Sequence, residues 1–251
     1  MLRHRVIPIL LLHAGGLVKT QKFSNPVYLG DPLNAINIFN DKEVDELIFL
    51  DIDATKEGQE IDFELIEDIA SECFMPFAYG GGVSSIEDIE KLFYIGVEKV
   101  ILNSALSDKA LVVEAIRRFG SQSIVASIDI KGGEVYSYLT QKKLNISIEE
   151  YIKKIVSLNI GEIFINSVDN DGMMSGYDIE LIKKVSSIST IPIIACGGAG
   201  SIEDLKELID NTEVSAVGAG SFFVFIGVHR AVLITYPKYE DLEQILESKS
   251  E

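Results

Sequence analysis

Asp129 ends an apolar run within SIVASIDIKGGE. A carboxylate closing a buried strand is placed for proton transfer, because partial burial raises its pKa towards neutrality. The same position would also suit a simple cap on the following turn. Two glycine clusters suggest a second chemistry. Gly80-Gly81-Gly82 leads through Ser84-Ser85 into a helical pattern, and Gly197-Gly198 leads through Gly200-Ser201 into another. Backbone N–H groups exposed between a strand and a helix start bind phosphate. Asn103-Ser104 and Gly220-Ser221 end the next apolar runs, which strengthens the phosphate reading over turns alone. Lys19, in the first loop, could reach such an anion or be merely solvated. Asp51, Asp53, Asp169 and Asp171 stand at other strand ends, where a carboxylate either holds a substrate hydroxyl or caps a loop. His13 and His229 fall in loops without a partner pattern, and Cys196, directly before a glycine pair, reads as a small buried residue rather than a nucleophile.

These residues need elements to position them, and the chain supplies the elements in duplicate. The stretch PFAYGGGVSSIEDIEKL (Pro76–Leu92) reappears as PIIACGGAGSIEDLKEL (Pro192–Leu208), and the same offset carries Glu46 onto Glu162 and Asp53 onto Asp169. A shared offset over a strand, a turn and a helix indicates a duplicated unit. Apolar runs recur at Val6–Leu12, Leu47–Leu50, Phe74–Ala78, Lys99–Leu102, Ser123–Asp129, Glu162–Ser167, Ile191–Cys196 and Val214–Gly218. Continuous apolar runs are expected of parallel strands covered on both faces. Helical patterns fit Pro32–Asn40, Phe63–Ser71, Lys109–Phe119, Ile148–Leu158, Ile179–Val185 and the stretches opened by Ser85 and Ser201. The pattern predicts one α/β domain over residues 1–251, a closed (β/α)8 TIM barrel made of halves of about 1–120 and 121–251. An open doubly wound sheet is the alternative. The segment 222–251 begins FFVFIGVHRAVLITYP, unlike an ordinary eighth barrel helix. It is expected to form an added strand, a partner-binding surface or a packing element, with a last helix at Tyr239–Leu246.

In such barrels chemistry gathers at the C-terminal strand ends. At the other ends stand Arg5, Glu46, Lys99 and Glu162, two bases and two acids that could form a neutralising ring around the axis or remain solvated edge charges.

Composition narrows the partners. A net charge of −17 argues against nucleic acid and anionic membranes. No apolar run approaches the roughly 20 residues that span a bilayer. The start MLRHRVIPILLLHAGG lacks a signal-peptide cleavage pattern and reads as a buried first strand. Cys73 and Cys196 provide neither a disulfide framework nor a metal pattern, so neither metal nor cofactor is expected, and the cytoplasm is the expected location.

The segments RVIPILLLHAGGLVK, LGDP, DELIFLDIDAT, YGGG, GVEKVILNSA, FGSQSIVASID, GEIFINSVDNDG, SGYD and PIIACGGAG together resemble the cyclase subunit of imidazole glycerol phosphate synthase, over essentially residues 3–225. The resemblance implies a half-barrel duplication, two phosphate sites and a glutamine amidotransferase docked on the N-terminal face of the barrel. Ammonia would pass along the axis to a bisphosphate intermediate of histidine biosynthesis, the phosphoribulosyl aminoimidazole carboxamide compound. The products would be imidazole glycerol phosphate and aminoimidazole carboxamide ribotide. Arg5, Glu46, Lys99 and Glu162 match the family's ammonia gate, and Lys19 its loop lysine. Gly82, Asn103, Ser104, Asp171, Gly172, Gly197, Gly198, Gly220 and Ser221 fall on its phosphate-contacting segments, and Asp129 on one of its two catalytic aspartates. The other is missing. Where the family reads close to CLDVKDGRVVK, this chain reads ILLLHAGGLVK, with Leu11 at the aspartate's place, His13 for a lysine and Ala14 for a second aspartate. Met173 likewise replaces a small polar residue. A kept gate, a broken catalytic pair and the unusual tail resemble a divergent branch associated with amidino sugars of surface polysaccharides, in which the barrel supplies ammonia to a third, amide-forming enzyme. The related half-barrel phosphosugar isomerase fits less well, because it needs a working carboxylate on the first strand and has no use for a gate.

Overall fold

Eight strands hydrogen-bond side by side and close on themselves in the computed structural model, which describes residues 4–246. In chain order they are Arg5–His13, Leu47–Asp51, Phe77–Gly80, Lys99–Leu102, Ile124–Lys131, Glu162–Ser167, Ile193–Cys196 and Ala216–Ala219. Each pairs in parallel with the next, and Arg5↔Ala216 register joins the last to the first. Helices lie between successive strands, as a parallel crossover requires. This is a (β/α)8 barrel. Residues 1–3 and 247–251, the extreme ends of the predicted barrel and its terminal segment, lie outside the described residues.

Alternation along each strand splits the apolar residues into two cores. Val6, Leu10 and Leu12 face outward and pack with the helices, while Ile7 and Ile9 face the axis. Ile48, Ala78, Ile101, Val125, Phe164, Ile194 and Ala216 join them inside. Both copies of the repeat end in the same device. Ser85 and Ser201 cap their helices, each accepting from the backbone N–H of the aspartate three residues on, whose carboxylate bonds back to the cap.

Several element bounds shift by one to three residues from expectation, and the larger differences are these. The third strand is Phe77–Gly80 instead of Phe74–Ala78, because Pro76 interrupts the run and leaves Phe74 exposed. The first and fifth strands run on into hairpins: Gly16–Gln21 with Ser24–Gly30, and Glu134–Ser137 with Lys142–Lys143. The irregular tail adds no strand to the barrel. It makes a helical turn, Ser221–Val224, then a separate two-stranded hairpin of Phe225–Ile226 and Ala231–Val232 before the helix Tyr239–Leu246.

Phe164 is the largest side chain of the inner core and is 1% exposed. Phe164→Ala should cost about 3–5 kcal/mol, read as a lowered urea midpoint, because the surrounding strands cannot collapse into the space. A loss under about 1 kcal/mol would contradict a tightly packed axis.

Candidate functional site

The inward alternation that builds the core also sets the two ends of the axis. On the first strand Arg5, Ile7, Ile9 and Leu11 follow one another inward, and on the fifth Val125, Ser127 and Asp129 do so. One end therefore carries the charges and the other the mouth.

At the N-terminal end the four charges meet. Arg5 Nη1 donates to Glu46 and Nη2 to Glu162, while Lys99 Nζ donates to Glu46 Oε1 at 2.9 Å and Glu162 Oε2 at 3.1 Å. Both carboxylates are buried. Burial by itself would weaken the Arg5 cation, but Glu162 and Glu46 outweigh it and hold its pKa above the ordinary value. The edge-charge alternative fails here: these are mutually bonded groups, each base bridging both acids.

The mouth at the C-terminal ends is lined by Lys19, Gly82, Asn103, Ser104, Asp129, Asp171, Gly172, Gly197, Gly198, Gly220 and Ser221. Every candidate singled out for proton transfer or anion contact thus lies around one cavity. Gly197 has φ +97°, and a Cβ there would stand 2.6 Å from the Ser167 carbonyl, so glycine is required where the chain turns into the cavity. Asp129 is buried and accepts from Asn103 Nδ2 at 3.1 Å. Burial pushes its pKa up to about 7; the Asn103 bond opposes the shift and the Asp171 charge adds to it. Such a group can give or take a proton near neutral pH. Lys19 is buried too, donates to the Ile9 carbonyl, and is pulled down to about 8 by burial against the opposing pull of Asp171. Asp171 is raised by burial despite Lys19 and a 3.1 Å bond from Thr20 Oγ1.

Leu11 lines the mouth on the first strand, opposite Asp129 on the fifth, and pairs with Leu50 and Val18. His13, two residues on, is turned to another partner. Its Nδ1 is held 2.8 Å from Asp53 Oδ1, Asp53 Oδ2 also accepts from the Ala14 N–H, and neither His13 nor Asp53 lines the mouth. Asp169 accepts from the Gly132 N–H and serves its loop, whereas Asp51 lines the mouth while capping Asp53 and Ala54. Cys196 lines the mouth, but burial pushes its thiol up to about 12, so it carries no thiolate. His229 is exposed on the terminal hairpin, and Met173 is exposed beside Gly172.

Sequence reasoning missed several mouth residues. Asn166 sits beside Asp129 in register and points a buried Oδ1 that has no hydrogen-bond partner. Phe23 and Tyr138, from the hairpins after the first and fifth strands, meet edge to face at 5.4 Å and both line the cavity. Inward parity from Phe164 would have found Asn166; the aromatic pair had no local signal. Among the described residues no cluster of histidine, cysteine or carboxylates could hold a metal ion, and no helix is long and apolar enough to cross a membrane.

Comparison with known proteins fits this geometry. The family model described as histidine biosynthesis protein matches residues 5–228. A Pseudomonas aeruginosa protein provisionally named imidazole glycerol phosphate synthase subunit hisF2 is 52% identical, covering 97% of this chain and 99% of its own length. A Leptospira interrogans protein provisionally named as the HisF subunit is 48% identical over 98% of this chain and 99% of its own. The imidazole glycerol phosphate synthase subunit HisF of Streptococcus mutans is 36% identical over 89% of this chain and 91% of its own. A barrel with this mouth, matched end to end by such relatives, belongs to the histidine biosynthesis protein family, among its HisF-like subunits.

Proposed function

We propose that the chain is a single-domain barrel of two homologous halves that takes ammonia from a glutamine amidotransferase at its N-terminal face and delivers it to a phosphorylated acceptor at its mouth. One observation carries this reading: the closed Arg5–Glu46–Lys99–Glu162 ring and the glycine-lined mouth stand at opposite ends of one axis lined by Ile7, Ile48, Ile101 and Phe164. A neutral amine can travel through an apolar interior that a hydrated ion cannot enter. The ring then acts as a gate whose paired charges must part for passage. The mouth holds two anion sites, Gly82, Asn103 and Ser104 on one side, and Asp171, Gly172, Gly197, Gly198, Gly220 and Ser221 on the other, with Lys19 buried between strand end and acceptor. The cytoplasm is the proposed location, and no cofactor is required.

The acceptor has two readings. In the first, the chain is the cyclase subunit itself, converting the phosphoribulosyl aminoimidazole carboxamide intermediate to imidazole glycerol phosphate and aminoimidazole carboxamide ribotide. Asp129 is then the general acid or base, suited by its near-neutral pKa. Leu11 favours the second: it faces the mouth where a partner carboxylate would be needed, and a leucine moves no proton. Losing a general acid or base typically costs 10²–10⁴-fold in rate. The barrel then serves as an ammonia-conducting subunit whose nitrogen goes, through a third enzyme, to an amidino sugar of surface polysaccharide.

Three measurements test these readings. With ammonium salt and the carboxamide intermediate, the purified chain should form imidazole product slowly or not at all, and Leu11→Asp should raise the rate by about 10²-fold or more. Wild-type turnover at the level of an ordinary cyclase would sink the conduit reading. Lys99→Ala and Glu46→Ala should lower the yield of aminated product per glutamine consumed while leaving use of free ammonium intact; an unchanged ratio counts against the gate. Finally, Asp129 is protonated in the fold up to about pH 7, whereas the unfolded chain ionises it near pH 4, so it removes stability as pH rises between the two, on the order of 4 kcal/mol in all. Asp129→Asn should therefore raise the urea midpoint at pH 8 and change it little below pH 4. Equal gains at both would show that the carboxyl is not held neutral.

A further inference from the structure

The terminal hairpin, which closes no gap in the barrel, brings a cation against two residues of the mouth, Gly172 and Ser221, from behind the cavity lining. Arg230 precedes its second strand, and Nη2 donates to the Gly172 carbonyl at 2.7 Å and lies 3.4 Å from Ser221 Oγ. The guanidinium rests over the Phe225 ring at 4.8 Å, which fixes its plane. Among the described residues no carboxylate pairs with it. Its Nε and Nη1 donors remain uncommitted and lie on different edges of the guanidinium, so each can give one charge-assisted hydrogen bond to an anion oxygen. Gly172 and Ser221 line the mouth on the side of Gly197 and Gly198. In a chain of net charge −17, a half-buried guanidinium without a carboxylate partner, set directly behind two mouth residues, is a local reversal of field that attracts an anion.

We propose that Arg230 is a ligand-binding residue that grips a phosphate monoester at the Gly172–Ser221 rim, and that the hairpin from Phe225 to Val232 is the arm that presents it. The proposal rests on reading the mouth as an anion site, and adds a residue from outside the barrel to it. Arg230 is held by its bonds to Gly172 and Ser221 and by Phe225, so the guanidinium is oriented before the anion arrives, which lowers the ordering cost of binding. Lysine at this position would keep the charge and lose the planar group that Phe225 and Gly172 hold in place.

The test is a titration of the full chain with inorganic phosphate, following the backbone amide resonances of Gly172 and Ser221 at one rim and Gly82 and Ser104 at the other. Arg230→Gln should weaken phosphate binding at the Gly172–Ser221 rim by roughly tenfold or more, with the other rim unchanged, and Arg230→Lys should recover part of the loss. Unchanged affinity in Arg230→Gln, or an equal loss at both rims, would overturn the role of Arg230 while leaving the mouth an anion site. Absence of phosphate binding at either rim of the wild type would overturn both.

Discussion

In a closed barrel of parallel strands every second residue must point at the axis, and in this chain that parity governs everything the molecule presents. Arg5, Ile7, Ile9 and Leu11 share one side of the first strand, so a charge at one end, a dry interior and a mouth residue are fixed by a single alternation. A one-residue slip would turn Arg5 into the helix layer and put Leu10 and Leu12 on the axis. The parallel register running from Arg5↔Ala216 around to Glu162↔Val125 prevents that slip.

The charged ring at the N-terminal end is a costly way to close a barrel. Burying Glu46 and Glu162 costs desolvation that their partners only offset, and apolar residues of similar volume often serve stability as well or better. Two acids each shared by two bases are therefore weak evidence of a stabilising purpose, however well they are bonded. The mouth shows the opposite balance. There Asp129 and Lys19 are buried without a full counter-charge, and their pKa values approach one another, at about 7 and about 8. Groups in that state exchange protons readily and hold charge weakly.

Much of this was legible in the residues. The eight apolar runs, the duplicated glycine turns and the two Ser-Ile-Glu-Asp helix starts are local signals, and a local signal survives folding when strands are fully covered. The four ring charges could be named because strand starts are readable, but their mutual bonding depends on closure, which brings Arg5 and Glu162 together across most of the chain. Strand ends were less legible. Pro76 moved one boundary, and the Gly15 turn after His13, like Gly132-Gly133, hid hairpins behind what reads as loop. Arg230 was invisible for a different reason: its partners, Gly172 and Ser221, are assembled by the barrel, and nothing in FFVFIGVHRAVLITYP points to them.

The Phe23–Tyr138 contact spans hairpins that rise from opposite strands of the barrel, so the aromatic pair forms a bar across the opening. A long solute touching both glycine-lined rims would meet that bar at its middle. An edge-to-face pair contributes only about 0.5–1.5 kcal/mol, little more than thermal energy. Contact between the two hairpins over the mouth is therefore easily broken and remade, so the opening is spanned without being sealed.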